Sequence, residues 1–194
     1  MRRSLSLALA LALALALAAS PAIANEYAPR MQAFYESQVS DWAQADVLIA
    51  AISAQNARTQ GYTQEDIDTL DAAWRAEIGL SDRPTIDPVM DNAASDFLRD
   101  VVARSGGVMT EVFVMDARGL NVATSAVTSD FWQGDEPKFA ETFPNGAGAM
   151  HLGDVEFDES SQTYQGQISV SIVDPVSNKV VGAMTVGVNA EALF

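Results

Sequence analysis

One stretch of this chain concentrates side chains able to hold a small molecule: Thr128-Ser129-Asp130-Phe131-Trp132-Gln133-Gly134-Asp135. It sets two aromatic rings, two hydroxyls, two carboxylates and an amide side by side. Ligand pockets combine an apolar wall with a few aimed polar groups, which is this mixture. Trp132 can stack on a ligand, and its ring face is worth about 0.5–2 kcal/mol to a cation. Asp130 and Asp135 can hold an amine or a metal ion. The same residues also suit a plainer task, with Phe131 and Trp132 closing one end of a core and the acids capping turns. His151 is the only histidine. An imidazole working as acid or base needs a partner group, and a lone histidine is more often structural.

Other chemistries are excluded or weakened by composition. There is no cysteine, which removes thiol catalysis, disulfides, cysteine metal sites and a lipid-carrying residue. A single histidine rules out a multi-histidine metal site within one chain. An oxygen-only calcium site stays open, but no D-x-[DN]-x-[DN]-G loop is present. No G-x-S-x-G, P-loop, G-x-G-x-x-G or H-E-x-x-H motif occurs. The carboxylates Glu156, Asp158 and Glu159 read as solvated charge on a hairpin. No cofactor is expected. With 26 acidic against 11 basic residues the formal charge is −15. Such a surface repels nucleic acid and anionic lipid. It suits a dispersed soluble protein, and it also suits a cationic ligand or a basic patch on a partner.

The elements that must position these residues begin after an export signal. Arg2 and Arg3 form a positive start, and an apolar run extends from Leu5 to Ala19. Pro21 breaks it, and Ala22-Ile23-Ala24 has the small-x-small pattern read by signal peptidase. The run falls short of the ~20 residues that span a bilayer. Residues 1–24 are therefore expected to be a signal peptide cleaved after Ala24, which sends the protein to the periplasm. Residues 25–194 are expected to form one domain, helical over 25–107 and strand-rich over 108–194.

Apolar residues from Met31 to Ile52 recur at three- and four-residue steps, predicting one long helix from Tyr27 to Asn56. Thr63 and Asp66 have capping-box spacing and start a second helix, Gln64 to Ile78, ended by Gly79. Asp87-Pro88 starts a third, stopped by Gly106-Gly107. The apolar period then becomes two. Glu111 to Asp116 and Leu120 to Ser125 form a hairpin about Ala117-Arg118-Gly119. A short helix from Glu136 to Phe143 follows, then strands Met150 to Phe157, Thr163 to Asp174 and Lys179 to Asn189. Strict alternation from Gln167 to Ile172 gives one core face and one wet face.

This order, ββαβββ behind a long helix, resembles the Cache (extracytoplasmic PAS-like, or PDC) sensor domains. VFVMDARGLNVATS is similar to their first hairpin, and DEPKFAETFPNGAG to their short helix. GDVEFDESSQTYQGQISVSIVDPVSNKVVGAMTVGVN is similar to their closing strands. The resemblance covers Val112 to Asn189 closely and the helical half by architecture. It implies an α+β fold: a long N-terminal helix and two further helices on a five-stranded antiparallel PAS-like sheet.

It also implies a small-molecule site under the segment between the second and third strands. Asp130, Phe131, Trp132 and Asp135 would contribute to it, with His151 facing it from the third strand. Tyr164 and Asp174 bracket the fourth strand, where an aspartate can hold a ligand amine; Asp174 also fits as a hairpin cap before Pro175. Asp135, Glu136 and Pro137 stand where many members carry a carboxylate-gripping arginine, and Lys138 can replace it. The functional expectation is a soluble periplasmic sensor module whose unknown small molecule changes its fit to a membrane-bound kinase, cyclase or chemoreceptor. A scaffold with an empty pocket, dimerising through the first helix, is the alternative. An enzyme built on Asp130, Asp135 and His151 is the third.

Overall fold

The computed structural model describes residues 25–158 and 163–194. The expected signal peptide, its expected cleavage point and Glu159 lie outside the described residues. Helices α1 (Ala28–Phe34), α2 (Asp46–Thr59), α3 (Gln64–Glu77), α4 (Asp87–Met90) and α5 (Ala93–Arg104) precede the sheet. The sequence predicted one helix from Tyr27 to Asn56, but the structure breaks it in two. After Phe34 the chain widens into a π turn, Tyr35–Val39, and Ala45 leaves helical dihedrals before α2 restarts. Ser37 and Ser40 donate back to the carbonyls of Ala33 and Glu36, a bond that bends helices. The carbonyl of Gln38 is taken by the indole N–H of Trp42 at 2.7 Å. The break lets both apolar stripes, Met31/Val39 and Leu48/Ile52, reach one core. The outer face of α1 and the π turn carries Gln32, Glu36, Ser37 and Ser40, all exposed, rather than an apolar stripe.

The expected third helix is also split. Asp91 departs from helical geometry, and Asn92 caps α5 by accepting from the Ser95 amide. Helix α3 has the anticipated capping box, with Thr63 and Asp66 each satisfying the other's amide.

Strands β1 (Met109–Met115), β2 (Asn121–Thr124), β3 (Met150–Leu152), β4 (Glu156–Asp158), β5 (Thr163–Asp174) and β6 (Lys179–Asn189) make one antiparallel sheet. Its order is β2-β1-β6-β5-β3, with β4 also on β5. The predicted third strand is thus two short ones along one edge, interrupted at Gly153, so five ranks result. The predicted short helix is only α6 (Pro137–Ala140) followed by a 3-10 turn, Phe143–Asn145.

Strand alternation sorts side chains onto two faces. Val112, Val114, Ile168, Val170, Met184, Val186 and Val188 pack under Leu48, Ile52, Leu98 and Val101. Each such burial is worth about 1.5–3 kcal/mol. Helix α2 is also fixed by polar contacts. Asp116, fully buried, accepts from Thr59 Oγ1 (2.8 Å), Gln55 Nε2 (3.2 Å) and the amides of Arg118 (2.8 Å) and Leu120 (3.0 Å). Asn56 donates to Val181 O and accepts from the Ala117 amide.

Candidate functional site

The other face of the sheet is polar. Register places Glu111, Gly187 and Gln167 in one row, and Phe113, Thr185, Ser169 and His151 in the next. Beyond them Phe113, Met115 and Ala183 pack against Phe139 of α6, closing that end. The opposite end stays open as a groove of about 780 Å³. Its floor is Glu111, Phe113, Gln165 and Gln167. Glu111 Oε1 accepts from Gln165 Nε2 at 3.0 Å and from Gln167 Nε2 at 3.3 Å. Those bonds pass over Gly187, where a Cβ would come within 2.7 Å of Glu111 Cγ and 2.8 Å of Gln165 Nε2. A residue without a side chain is what lets the carboxylate cross β6.

One wall is the segment running from β2 into α6, with Val127, Thr128, Ser129, Gln133, Glu136 and, on α6, Lys138 facing the groove. Helix α3 holds it in place. Trp74 donates its indole N–H to Thr128 O (2.9 Å), and Asp71 Oδ1 accepts from the amides of Phe131 (2.9 Å) and Trp132 (3.0 Å). The opposite wall is Gly153, Asp154, Glu156 and Phe157, with Ile78 on the rim. At the end of α3, burial pushes the Glu77 carboxyl up. Hydrogen bonds from Thr85 and the Ile86 amide, with nearby Arg83, outweigh that and hold it below the usual range.

Of the residues anticipated from sequence, Lys138 and His151 line this groove. Lys138 Nζ lies 2.9 Å from Glu136 Oε2, donates to Gln133 Oε1 at 3.2 Å and stands 5.5 Å from the Phe113 ring centre. His151 Nδ1 lies 3.0 Å from Glu141 Oε2. The others are placed elsewhere. Phe131 turns into a separate core cluster and stacks on Trp74, ring centres 5.3 Å apart. Trp132 donates to Arg118 O at 2.9 Å and lies over Gly134, where an added Cβ would sit 2.3 Å from its Nε1. Asp130 accepts from Gln133 Nε2 at 2.6 Å and faces Arg75 at 3.7 Å. Asp135 is exposed beside α6. Tyr164 is exposed, edge-on to Phe157.

Asp174 caps the β5–β6 hairpin. Its carboxyl is held below the usual range by the Ser177 hydroxyl and then the Val176 amide. Asp130, Asp135 and His151 thus have separate surroundings rather than a shared hydrogen-bonded centre. Glu111, Phe113, Gln165 and Gln167 had not been singled out as site residues; the polar positions of β5 were the available signal. Among the described residues no group of three or more His, Asp or Glu is placed to hold a metal ion. No helix among them is long and apolar enough to cross a membrane.

The chain is therefore an α+β protein, with its longer helices on one face of an antiparallel sheet and an open groove on the other. No family model matches the sequence, and no curated protein matches it. Among solved structures it is similar, at low identity, to sensor and ligand-binding domains. The ligand-binding domain of Campylobacter jejuni chemoreceptor Tlp3, in complex with L-valine, gives a TM-score of 0.42 at 15% identity, covering 84% of this chain and 64% of that one. The sensor domain of the V. cholerae histidine kinase DctB gives 0.40 at 13% identity, covering 87% and 57%. An extracellular ligand binding receptor from Desulfohalobium retbaense gives 0.40 at 14%, covering 79% and 27%. The chain thus spans less than two thirds of the length of these structures.

Proposed function

We propose that this protein is an exported sensor module that binds a small molecule in the groove and passes the binding event to a membrane-bound partner. Residues 1–24 would direct export and be removed by cleavage after Ala24. The observation that carries the reading is the groove itself, a sheet face lined with Glu111, Gln165 and Gln167 instead of apolar residues, under a wall clamped to α3. Its volume of about 780 Å³ falls within the usual span for small-molecule sites, roughly 300–1,000 Å³. The sequence resemblance from Val112 to Asn189 points the same way. Asp71 and Trp74 connect the wall to α3, and Asp116 connects the first hairpin to α2, so a ligand that moves the wall has helices to act on.

A thermal-shift screen against amino acids, amines, organic acids, purines and divalent ions tests the proposal. A ligand at 100 times its Kd adds about 2.7 kcal/mol, a rise of roughly 5–10 °C. The expected result is a hit that weakens in Gln167→Ala. Silence across the whole screen would favour a partner-binding scaffold.

A further inference from the structure

The charges inside the groove are engaged with groups of the protein itself. Lys138 Nζ lies 2.9 Å from Glu136 Oε2, and His151 Nδ1 lies 3.0 Å from Glu141 Oε2. Glu111 accepts from the side-chain amides of Gln165 and Gln167. An anion entering here would have to separate one of the first two pairs. A cation would have to draw Glu111 from its two amides. Asp154 and Glu156 on the opposite wall are exposed, and an ion pair made in solvent contributes only about 0–1 kcal/mol. The groove therefore has little to give a charged ligand.

It presents instead two oriented carboxamides. A carboxylate only accepts, so Glu111 determines which end of each amide faces it: both Nε2 atoms turn to Glu111, and both Oε1 atoms are left at the other end. Each amide keeps a second N–H beside its carbonyl oxygen. Among the described residues neither oxygen has a hydrogen-bond partner, in contrast to Gln133 on the wall, whose oxygen accepts from Lys138 and whose nitrogen donates to Asp130. Gln165 and Gln167 are alternate residues of β5, so they share a face about 7 Å apart. The sheet is built for this arrangement, because only a glycine at 187 leaves room for Glu111 to reach both. The rim next to them is apolar and exposed at Ile78, Val127 and Phe157, and Phe157 follows Glu156, the cross-strand neighbour of Gln165.

We infer that the groove takes an uncharged molecule carrying a hydrogen-bond donor and acceptor side by side, an amide or a nucleobase edge, held by Gln165 and Gln167 with its flat apolar body at the Ile78–Val127–Phe157 rim. A carboxamide meets such an edge with two hydrogen bonds, its oxygen accepting and its nitrogen donating, as glutamine does on adenine. This rests on the groove being a small-molecule site and names the class of its ligand.

Calorimetric titration of the purified protein with benzamide, benzoate, benzylammonium and adenine tests the inference. The first three share one ring and differ in charge. Benzamide or adenine binds, and benzoate and benzylammonium bind at least tenfold more weakly than the better of the two. Which neutral probe binds more tightly separates an amide ligand from a nucleobase. Gln165→Met and Gln167→Met, of similar length but without the amide, each weaken that probe about tenfold while thermal unfolding stays that of the parent. Benzoate or benzylammonium binding more tightly than both neutral probes would overturn the inference and leave the groove a ligand site. So would an amine or acid hit in the thermal screen with no binding by benzamide or adenine. Neutral-probe binding unchanged in both Gln variants would overturn the placement. Failure of all four probes and of every compound in the thermal screen would remove the ligand-site reading together with this one.

Discussion

The two faces of the sheet are written on the same strands but serve different ends. Toward the helices, Ile168, Val170 and Ile172 of β5 are buried among Leu48, Ile52 and Leu98. Toward the groove, Gln165, Gln167 and Ser169 alternate with them, and all three engage polar partners across strands. Two glycines of β6 show the contrast. A Cβ on Gly182 would lie 2.1 Å from the carbonyl oxygen of Met115 and 3.1 Å from Ile52. A Cβ on Gly187 would meet only side chains, those of Thr110, Glu111 and Gln165. One glycine serves packing against α2, and the other makes room for a carboxylate. Stability resides in the helix-covered face, and the groove face carries the polar row of Glu111, Gln165 and Gln167.

The contrast is sharpest in unfolding free energies. Ile168→Ala should cost about 2–5 kcal/mol in chemical denaturation, because the cavity forms within a close-packed interior. Gly182→Ala follows at about 3 kcal/mol, since a backbone carbonyl cannot swing aside as a side chain can. Asp71→Ala strips the partner from two loop amides and should cost about 1–3 kcal/mol, with weaker ligand binding as the wall loosens. On the groove face, Gly187→Ala should change stability by about 1 kcal/mol or less, yet displace Glu111 and reduce binding of any screen hit. A Gly187→Ala protein as unstable as Gly182→Ala would break the comparison.

The acid range gives a smaller effect. Asp66, held low by the Thr63 amide and hydroxyl, Glu77 and Asp174 all titrate below their ordinary values when folded. The unfolded chain therefore takes up protons first as pH falls. Their stabilisation is complete above the ordinary carboxyl range near pH 4 and is lost as pH drops through the folded values. Melting temperature should be flat from about pH 7 to 5 and fall below it, less steeply in Glu77→Gln. Gln167→Ala closes the series, within about 0.5 kcal/mol of the parent.

What the sequence disclosed follows from how local each signal is. The Thr63–Asp66 cap, the turn at Gly119 and the β5 alternation each depend on neighbours in the chain, and each appears in the structure. The first helix was drawn too long because a π turn preserves the look of helical spacing while shifting its direction. The bends at Ser37 and Ser40 come from hydroxyls that periodicity does not weigh. The segment Thr128–Asp135 stood out for its composition; in the structure Thr128, Ser129 and Gln133 face the groove, while Phe131 stacks on Trp74 of α3 and the Trp132 indole bonds to Arg118 O. Composition cannot say which of two neighbouring elements a ring will join. The floor was least legible. Alternation marks Gln165 and Gln167 as facing away from the core, yet only the fold shows that other segments rise around them. Glu111 reaches them across an intervening strand.

The most direct measurement is backbone-amide chemical-shift mapping with the compound that raises the melting temperature most. The account predicts shifts gathered at Glu111, Phe113, Ser129, Gln133, Gln165 and Gln167, with smaller ones following Asp71 and Trp74 into α3. Shifts gathered instead around the second hollow, between Arg30, Phe34 and Leu193 on the helical side, would contradict it.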